Sequence, residues 1–176
     1  SQFVKINNYL YDLVGVKPVM TISRNYPYKD VYTHVLGYVS QPNEKEILDN
    51  QIIQERFVPG MKVGKLGLEK KLENHLIGTN AIQRYEVNAY GKRINQLEHQ
   101  KGEQGSKIRL TVDTEIQKAC GELLNEKAGS ISVMDIYTGD IIAMYSSPSY
   151  DPNLFLFGIS QDEWQLIRNN PLKPLI

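Results

Sequence analysis

The stretch Gly129-Ser-Ile-Ser-Val-Met-Asp-Ile-Tyr-Thr-Gly-Asp-Ile-Ile-Ala-Met-Tyr-Ser-Ser-Pro-Ser-Tyr-Asp-Pro-Asn153 decides how this chain is read. Two apolar strands, Ile131 to Ile136 and Asp140 to Ser146, flank a turn at Tyr137-Thr-Gly-Asp140, which is the pattern of a β-hairpin. Ahead of it lies the clearest helical period in the chain. Ile116, Ala119, Cys120, Leu123 and Leu124 fall at i, i+3, i+4, i+7 and i+8 and make one apolar stripe. Asp113 or Thr114 is placed to cap that helix, Thr114 with Gln117 has capping-box spacing, and Gly129 suits the position just past its end. Ile108 to Val112 reads as a short strand before it. Beyond the hairpin, Ser160 with Glu163 opens a second capped helix through Trp164 and Ile167, stopped by Asn170-Pro171.

Working outward toward the N-terminus, the patterning weakens. Val31 to Val39 is rich in β-branched and aromatic residues and predicts a strand or extended buried segment. Glu44 to Gln54 predicts a short surface helix, and Pro59-Gly60 a turn. Leu68, Leu72 and Leu76 recur at helical spacing, with Gly78 placed to end the helix. Tyr85, Val87 and Ala89 alternate with Arg84, Glu86 and Asn88, and Gly91 turns the chain into a second strand around Ile94 and Leu97. Lys101-Gly-Glu-Gln-Gly105 is polar and glycine-rich and marks a domain boundary. The expected fold class is α+β, with a first domain over 1–105 and the start of a second over 106–176.

Composition excludes several classes. The chain has 176 residues with 20 Lys plus Arg against 20 Asp plus Glu, so its formal net charge is zero. A nucleic-acid partner needs a basic stripe to displace counterions, and none is expected here. A single cysteine, Cys120, rules out an internal disulfide, and its place on the apolar stripe makes it a core residue. No apolar run is long enough to cross a bilayer, and Ser1-Gln-Phe-Val does not open a signal peptide.

Chemistry-bearing residues are scattered. His34, His75 and His99 are predicted in a strand, a helix and a loop, without metal-ligand spacing. Glu69 and Glu73 with Lys70 and Lys71 read most simply as a solvated helix face. Arg24 is given two readings: free in solvent, or paired with a carboxylate such as Glu69. Gly37, Gly64, Gly67 and Gly91 suit tight turns or close backbone approach. No serine stands three residues before a lysine, and no Lys-Thr-Gly occurs; Lys62-Val-Gly64 and Tyr137-Thr-Gly139 are near misses. Ser23-Arg-Asn25 fits a bare Ser-x-Asn by chance. No catalytic, cofactor-binding or metal-ligating residue is expected.

An ordered set of motifs resembles the class B penicillin-binding proteins, in particular the elongation type known as the penicillin-binding protein 2 group. Arg24-Asn-Tyr-Pro-Tyr28 with His34-Val-Leu-Gly-Tyr-Val39 looks like its pedestal. So do Val63-Gly-Lys-Leu-Gly-Leu-Glu69 with Leu76-Ile-Gly78, and Glu86-Val-Asn-Ala-Tyr-Gly91. Leu110-Thr-Val-Asp113, Glu115-Ile-Gln117, the hairpin, Tyr150-Asp-Pro-Asn153, Gly158-Ile-Ser160 with Trp164, and Pro171-Leu-Lys-Pro-Leu175 continue it in order. Gly158-Ile-Ser160 followed by Trp164 points to the elongation rather than the division type.

The resemblance implies a pedestal, or dimerisation, domain and the truncated start of a transpeptidase domain. The parent would be a serine-type peptidoglycan D,D-transpeptidase acting in cell-wall elongation and cell shape, and a target of penicillin. It would lie on the extracytoplasmic, periplasmic side, held in the inner membrane only by an N-terminal helix missing here. The piece itself would be inert and serve interaction and positioning. Implied partners are a polytopic glycosyltransferase and a periplasmic scaffold protein. The alternative is a stand-alone wall-associated scaffold module without enzymatic activity. Because an isolated hairpin is marginal in water and free strand edges seek partners, residues after about 130 are expected either to lack order or to pair with another copy of the chain.

Overall fold

Thr33 governs the first described part of the chain, because its side chain is bound from outside its own segment. The computed structural model describes residues 23–90, 92–125, 127–172 and 174. Lys29–Tyr32 is a 3-10 turn, followed by helix α1 (Thr33–Leu36). The strand expected over Val31 to Val39 shrinks to Val39–Ser40, strand β1. Thr33, Val35, Gly37 and Val39 are buried in alternation, as the composition suggested, yet Thr33–Leu36 is helical. The Thr33 hydroxyl donates to the Tyr150 carbonyl at 2.5 Å, and the Gln117 amide donates to the Val31 carbonyl at 2.9 Å. Those long-range bonds override the β-propensity of the stretch.

Strand β1 pairs antiparallel with β2 (Val63–Gly64). Between them run α2 (Glu44–Asp49) and α3 (Gln51–Arg56), where one helix was expected. Asn43 and Glu46 form a reciprocal capping box on α2, and Asn50 takes an extended conformation and caps the amides of Ile52 and Ile53. A second cap-forming asparagine thus divides the element. The Leu68, Leu72, Leu76 period is likewise split, into α4 (Gly67–Lys71) and α5 (Glu73–Leu76), because Leu72 leaves helical geometry at φ −107, ψ 16. Gly37 and Gly67 adopt positive φ, and a Cβ on Gly64 would lie 2.2 Å from the Glu69 carbonyl carbon. Gly91 is outside the described residues.

A two-stranded arm follows: β3 (Ile82–Val87) antiparallel to β4 (Arg93–Gln100), with register shifts at Arg84/Tyr85 and Glu86/Val87. Every β4 residue is exposed. At the arm's root the Thr79 amide donates to the Glu103 carbonyl (2.9 Å) and the Ser106 amide to the His75 carbonyl (2.7 Å). Arg56 Nη1 bonds the carbonyls of Ile77 (2.9 Å) and Gly78 (3.0 Å), and Asn80 returns a bond to the Arg56 carbonyl. The Lys101 to Gly105 stretch is therefore the return leg of this root.

Ile108 to Val112 is not a regular strand. Thr111 Oγ1 donates to the Ile141 carbonyl and the Asp113 amide to the Ile142 carbonyl, so the segment lies along the start of the next sheet without a ladder. Helix α6 (Thr114–Leu124) is capped by Asp113, whose carboxylate accepts from the amides of Glu115 and Ile116. It ends at Asn125 in the left-handed region, φ 41, four residues short of Gly129. Gly129 instead opens β5 (Gly129–Met134), paired antiparallel with β6 (Ile141–Ser147). A 3-10 turn (Pro152–Phe155) and helix α7 (Gln161–Arg168) close the described chain, the latter with the predicted Ser160–Glu163 box.

Apolar burial divides in two. Tyr26, Val39 and Leu156 form one cluster with Leu36 against it. Cys120, Ala143 and Tyr145 form the other, with Leu124, Ile131 and Val133 packed on it, so α6 covers one face of the β5–β6 hairpin. That packing, with the edge bonds described below, forms the hairpin within a single chain. His34 lies in a helix and His99 in a strand, also unlike the prediction; His75 is helical as expected.

Candidate functional site: a joint and a projecting arm

Gln117 is fully buried, and it is the centre of the joint. Its Nε2 donates to the Val31 carbonyl (2.9 Å) and the Met144 carbonyl (2.8 Å), while its Oε1 accepts from the Met144 amide (2.8 Å). The side chain thus acts as a strand partner for the edge of β6 and reaches back to the segment before α1. A buried glutamine with three bonds met at good distance orders what it touches. Around it, Tyr32 donates to Thr114 Oγ1 (2.9 Å). Asn153 Oδ1 accepts from the Tyr26 amide (3.1 Å) while its Nδ2 donates to the Tyr26 carbonyl (2.9 Å). His34 Nε2 meets the Pro174 carbonyl at 3.0 Å. Residues 24–36 and 114–156 are therefore laced together rather than merely adjacent.

Tyr38, Tyr150, Phe155 and Trp164 add an aromatic chain to the joint. Tyr38 stacks on Phe155 with centroids 4.1 Å apart, and Phe155 meets Tyr150 and Trp164 edge-on. Burial, and then the nearness of Tyr38, pushes the Tyr150 hydroxyl up to about 12.

Beneath the joint sits a polar brace. Arg24 Nε lies 3.1 Å from Glu69 Oε1 and 3.2 Å from Oε2, and Tyr26 donates to Glu69 Oε1 at 3.2 Å. Of the two readings for Arg24, the pairing holds. Glu69 is buried and Glu73 accepts from the Gly64 amide at 2.5 Å, so neither is the solvated surface carboxylate that charge patterning suggested. Burial raises the Glu73 carboxyl above its usual range, with the Glu69 charge adding to it against the Gly64 amide and Arg24. Tyr26 is driven well above the ordinary tyrosine range by burial first and Glu69 second.

A cleft of about 610 Å³ opens beside α6, lined by Asp30, Lys118, Glu122, Ser149 and Asn170 among others. Ser149 Oγ lies 3.2 Å from the Tyr145 hydroxyl and donates to Asp30 at 3.3 Å. Lys118 is taken by Glu115 at 2.9 Å, and the acceptor that Ser149 meets in the cleft is the exposed Asp30 carboxylate, so no lysine–serine pair is formed there. Among the described residues no group of His, Cys, Asp or Glu is arranged to hold a metal ion. No described helix is long and apolar enough to cross a membrane. The cysteine sits buried in the core, as expected.

A mixed α and β body of this layout aligns with solved penicillin-binding proteins. The chain belongs to the penicillin-binding protein family: the model described as Penicillin-binding Protein dimerisation domain matches residues 1–110. Peptidoglycan D,D-transpeptidase MrdA of Escherichia coli K12 is 37% identical over 173 residues, 97% of this chain and 27% of that protein. Penicillin-binding protein 3 of Bacillus subtilis 168 is 32% identical over 162 residues, 90% of this chain and 23% of that one. A solved complex of Helicobacter pylori penicillin-binding protein 2 with MreC aligns over 99% of this chain and 32% of its own, at TM-score 0.78 and 29% identity. Pseudomonas aeruginosa penicillin-binding protein 2, solved with WCK 5153, aligns over 91% and 31% at TM-score 0.72 and 31% identity. The chain thus spans about a quarter of the length of the curated relatives it matches.

Proposed function

We propose that this chain is the non-catalytic pedestal, with the opening segment, helix and hairpin of the head, of a serine-type peptidoglycan D,D-transpeptidase acting in cell-wall elongation and cell shape. Residues 1–105 are assigned to the pedestal and 106–176 to the start of the head. The observation that carries this is the joint: Gln117, Asn153 and Thr33 fasten the pedestal to the helix and hairpin by bonds that fix one orientation. A head that must meet two strands of a polymer gains from a fixed orientation, since misplacement of reacting groups by an ångström is costly.

On this reading, the acyl-serine chemistry that cross-links stem peptides belongs to parts of the parent protein beyond this sequence, which contains no Ser-x-x-Lys or Lys-Thr-Gly. The parent is placed at the extracytoplasmic face of the inner membrane. Its pedestal docks a periplasmic scaffold of the type named in the Helicobacter pylori complex, and a polytopic glycosyltransferase.

Two measurements on the chain as it stands test the proposal. Labelled penicillin leaves no covalent adduct on it; a stoichiometric adduct contradicts the non-catalytic role. An immobilised MreC-type scaffold from the same cell retains it, and retention falls when the Arg24–Glu69 brace is removed by Glu69→Ala. Absence of binding by the folded wild-type chain contradicts the docking role.

A further inference from the structure

We propose that the outer edge of β5 is a dimerisation site, where a second copy of this chain adds its own β5 antiparallel to make one four-stranded sheet. The two edges of the β5–β6 hairpin are not alike. On β6 the outer edge is closed: Gln117 takes the amide and carbonyl of Met144, the Asp113 amide takes the Ile142 carbonyl, and Thr111 takes that of Ile141. Met144 stands opposite Ser132 in the register, and its backbone groups turn away from β5, so those of Ser132 turn away from β6. By the same alternation Ser130 and Met134 also present amide and carbonyl outward. Among the described residues, none bonds these groups. Nothing on the strand guards that edge. Ala128 to Met134 contains no charge and no proline, and the register shift near Met134 places the extra residue, Ile142, on β6 rather than β5.

The edge is complementary to itself. A two-fold axis at Ser132 sets Ser132 against its copy and Ser130 against Met134 of the second copy, so every outward amide meets an outward carbonyl. Between them Ile131 meets Val133 of the second copy, an apolar cross-strand pair on the face that carries α6. Lys127 lies before the strand and Asp135 after it, so the antiparallel sense brings unlike charges together at both ends, while a parallel one aligns like with like. Helix α6 supplies the cover. Its start lies along Ile142 and its Gln117 along Met144, so the helix runs with β6. Lys118 stands over the Tyr28 ring, on the pedestal side. Ile116, Ala119 and Leu123 fall on the opposite flank, toward β5, and are exposed, Leu123 at 77%. Pairing at Ser132 keeps both helices on one face of the sheet and turns their apolar flanks toward each other over the new seam. The joined sheet has four strands, where an isolated hairpin is marginal. This inference stands apart from the transpeptidase reading, because it uses only the strand edge and the helix beside it.

The test is sedimentation velocity of the whole chain over a dilution series. The wild type moves from monomer to dimer as concentration rises. Ser132→Lys, which sets two like charges against each other on the axis, weakens dimerisation by about tenfold or more. Gln54→Lys, which adds the same charge at an exposed position of α3, leaves it unchanged. Thermal melting of both variants at the dilute end matches the wild type, because Ser132 and Gln54 are both exposed. Register is read by cross-linking with oxidised glutathione. Ser132→Cys forms a disulfide-linked dimer, since Cα atoms directly opposite in such a pair lie about 5.5 Å apart, and Ser130→Cys does not. Three results overturn the proposal: a monomer at every concentration, a dimer that Ser132→Lys leaves as tight as the wild type, or cross-linking through Ser130→Cys in preference to Ser132→Cys.

Discussion

Gln117 shows how much one side chain can carry when its bonds run in three directions. Its replacement by leucine keeps the volume but orphans the amide and carbonyl of Met144 together with the Val31 carbonyl. At about 1–3 kcal/mol for each buried group left unmet, partly relieved by relaxation, Gln117→Leu is expected to cost about 3 kcal/mol. Chemical denaturation of the variant reads this directly; a loss under about 1 kcal/mol would mean that water replaces the glutamine. Arg24→Ala costs less, about 1 kcal/mol, because the arginine side chain is 41% exposed and solvent screens the pair.

The tyrosines give a pH dependence with a definite sign. Tyr26 and Tyr150 both have their hydroxyls raised above the usual value of 10.0, the latter to about 12. The folded chain therefore holds protons that the unfolded chain gives up. This contribution is fully present below pH 10 and is lost as pH rises from 10 through the folded values. Ultraviolet titration should show at least two tyrosines ionising only above pH 11, with melting temperature falling over the same span. Ionisation of all tyrosines near pH 10 in the folded chain would refute it.

Secondary structure was most legible where a local chemical cause produces it. The Ser160–Glu163 box, the helix from Thr114 and the 129–147 hairpin were each readable from caps, period and turn residues. Misreadings came where distant groups decide. Val31 to Val39 has strand composition, yet bonds from Tyr150 and Gln117 hold its first part as turn and helix. On α6 the apolar stripe pointed to Ile116 and Leu123, which are 41% and 77% exposed. The buried row instead runs through Gln117 and Cys120, because the glutamine is needed at the β6 edge. A polar residue on the buried face has no signature in a hydrophobic period. By contrast, the split at Asn50 had a readable signal, since asparagine is a strong cap former. Asn50→Ala is therefore expected to fray α3 and cost about 1 kcal/mol, measured as lost helicity and lower denaturation midpoint. An unchanged midpoint would show that α2 and α3 are held by packing alone.

At the scale of the whole molecule, the site was only partly foreseeable. Motif order pointed to the family, and the absence of acylation motifs was plain in the sequence. The joint was not, because the bonds between its two sides join residues 82 to 140 apart along the chain. The arm, by contrast, contributes nothing to either core cluster. Replacing residues 81–101 by a short glycine-serine turn should leave the body's stability within about 1 kcal/mol, because the root legs already lie side by side. Collapse of the body on arm removal would contradict that independence.

The central claim is that the pedestal segment and the helix–hairpin form one cooperative unit. Native-state hydrogen exchange of the amides of Tyr26, Gly37 and Met144 tests it most directly. The account predicts a shared opening free energy for all three, lowered together by Gln117→Leu. Exchange of Tyr26 and Gly37 through a separate, lower-energy opening that Gln117→Leu leaves untouched would contradict it.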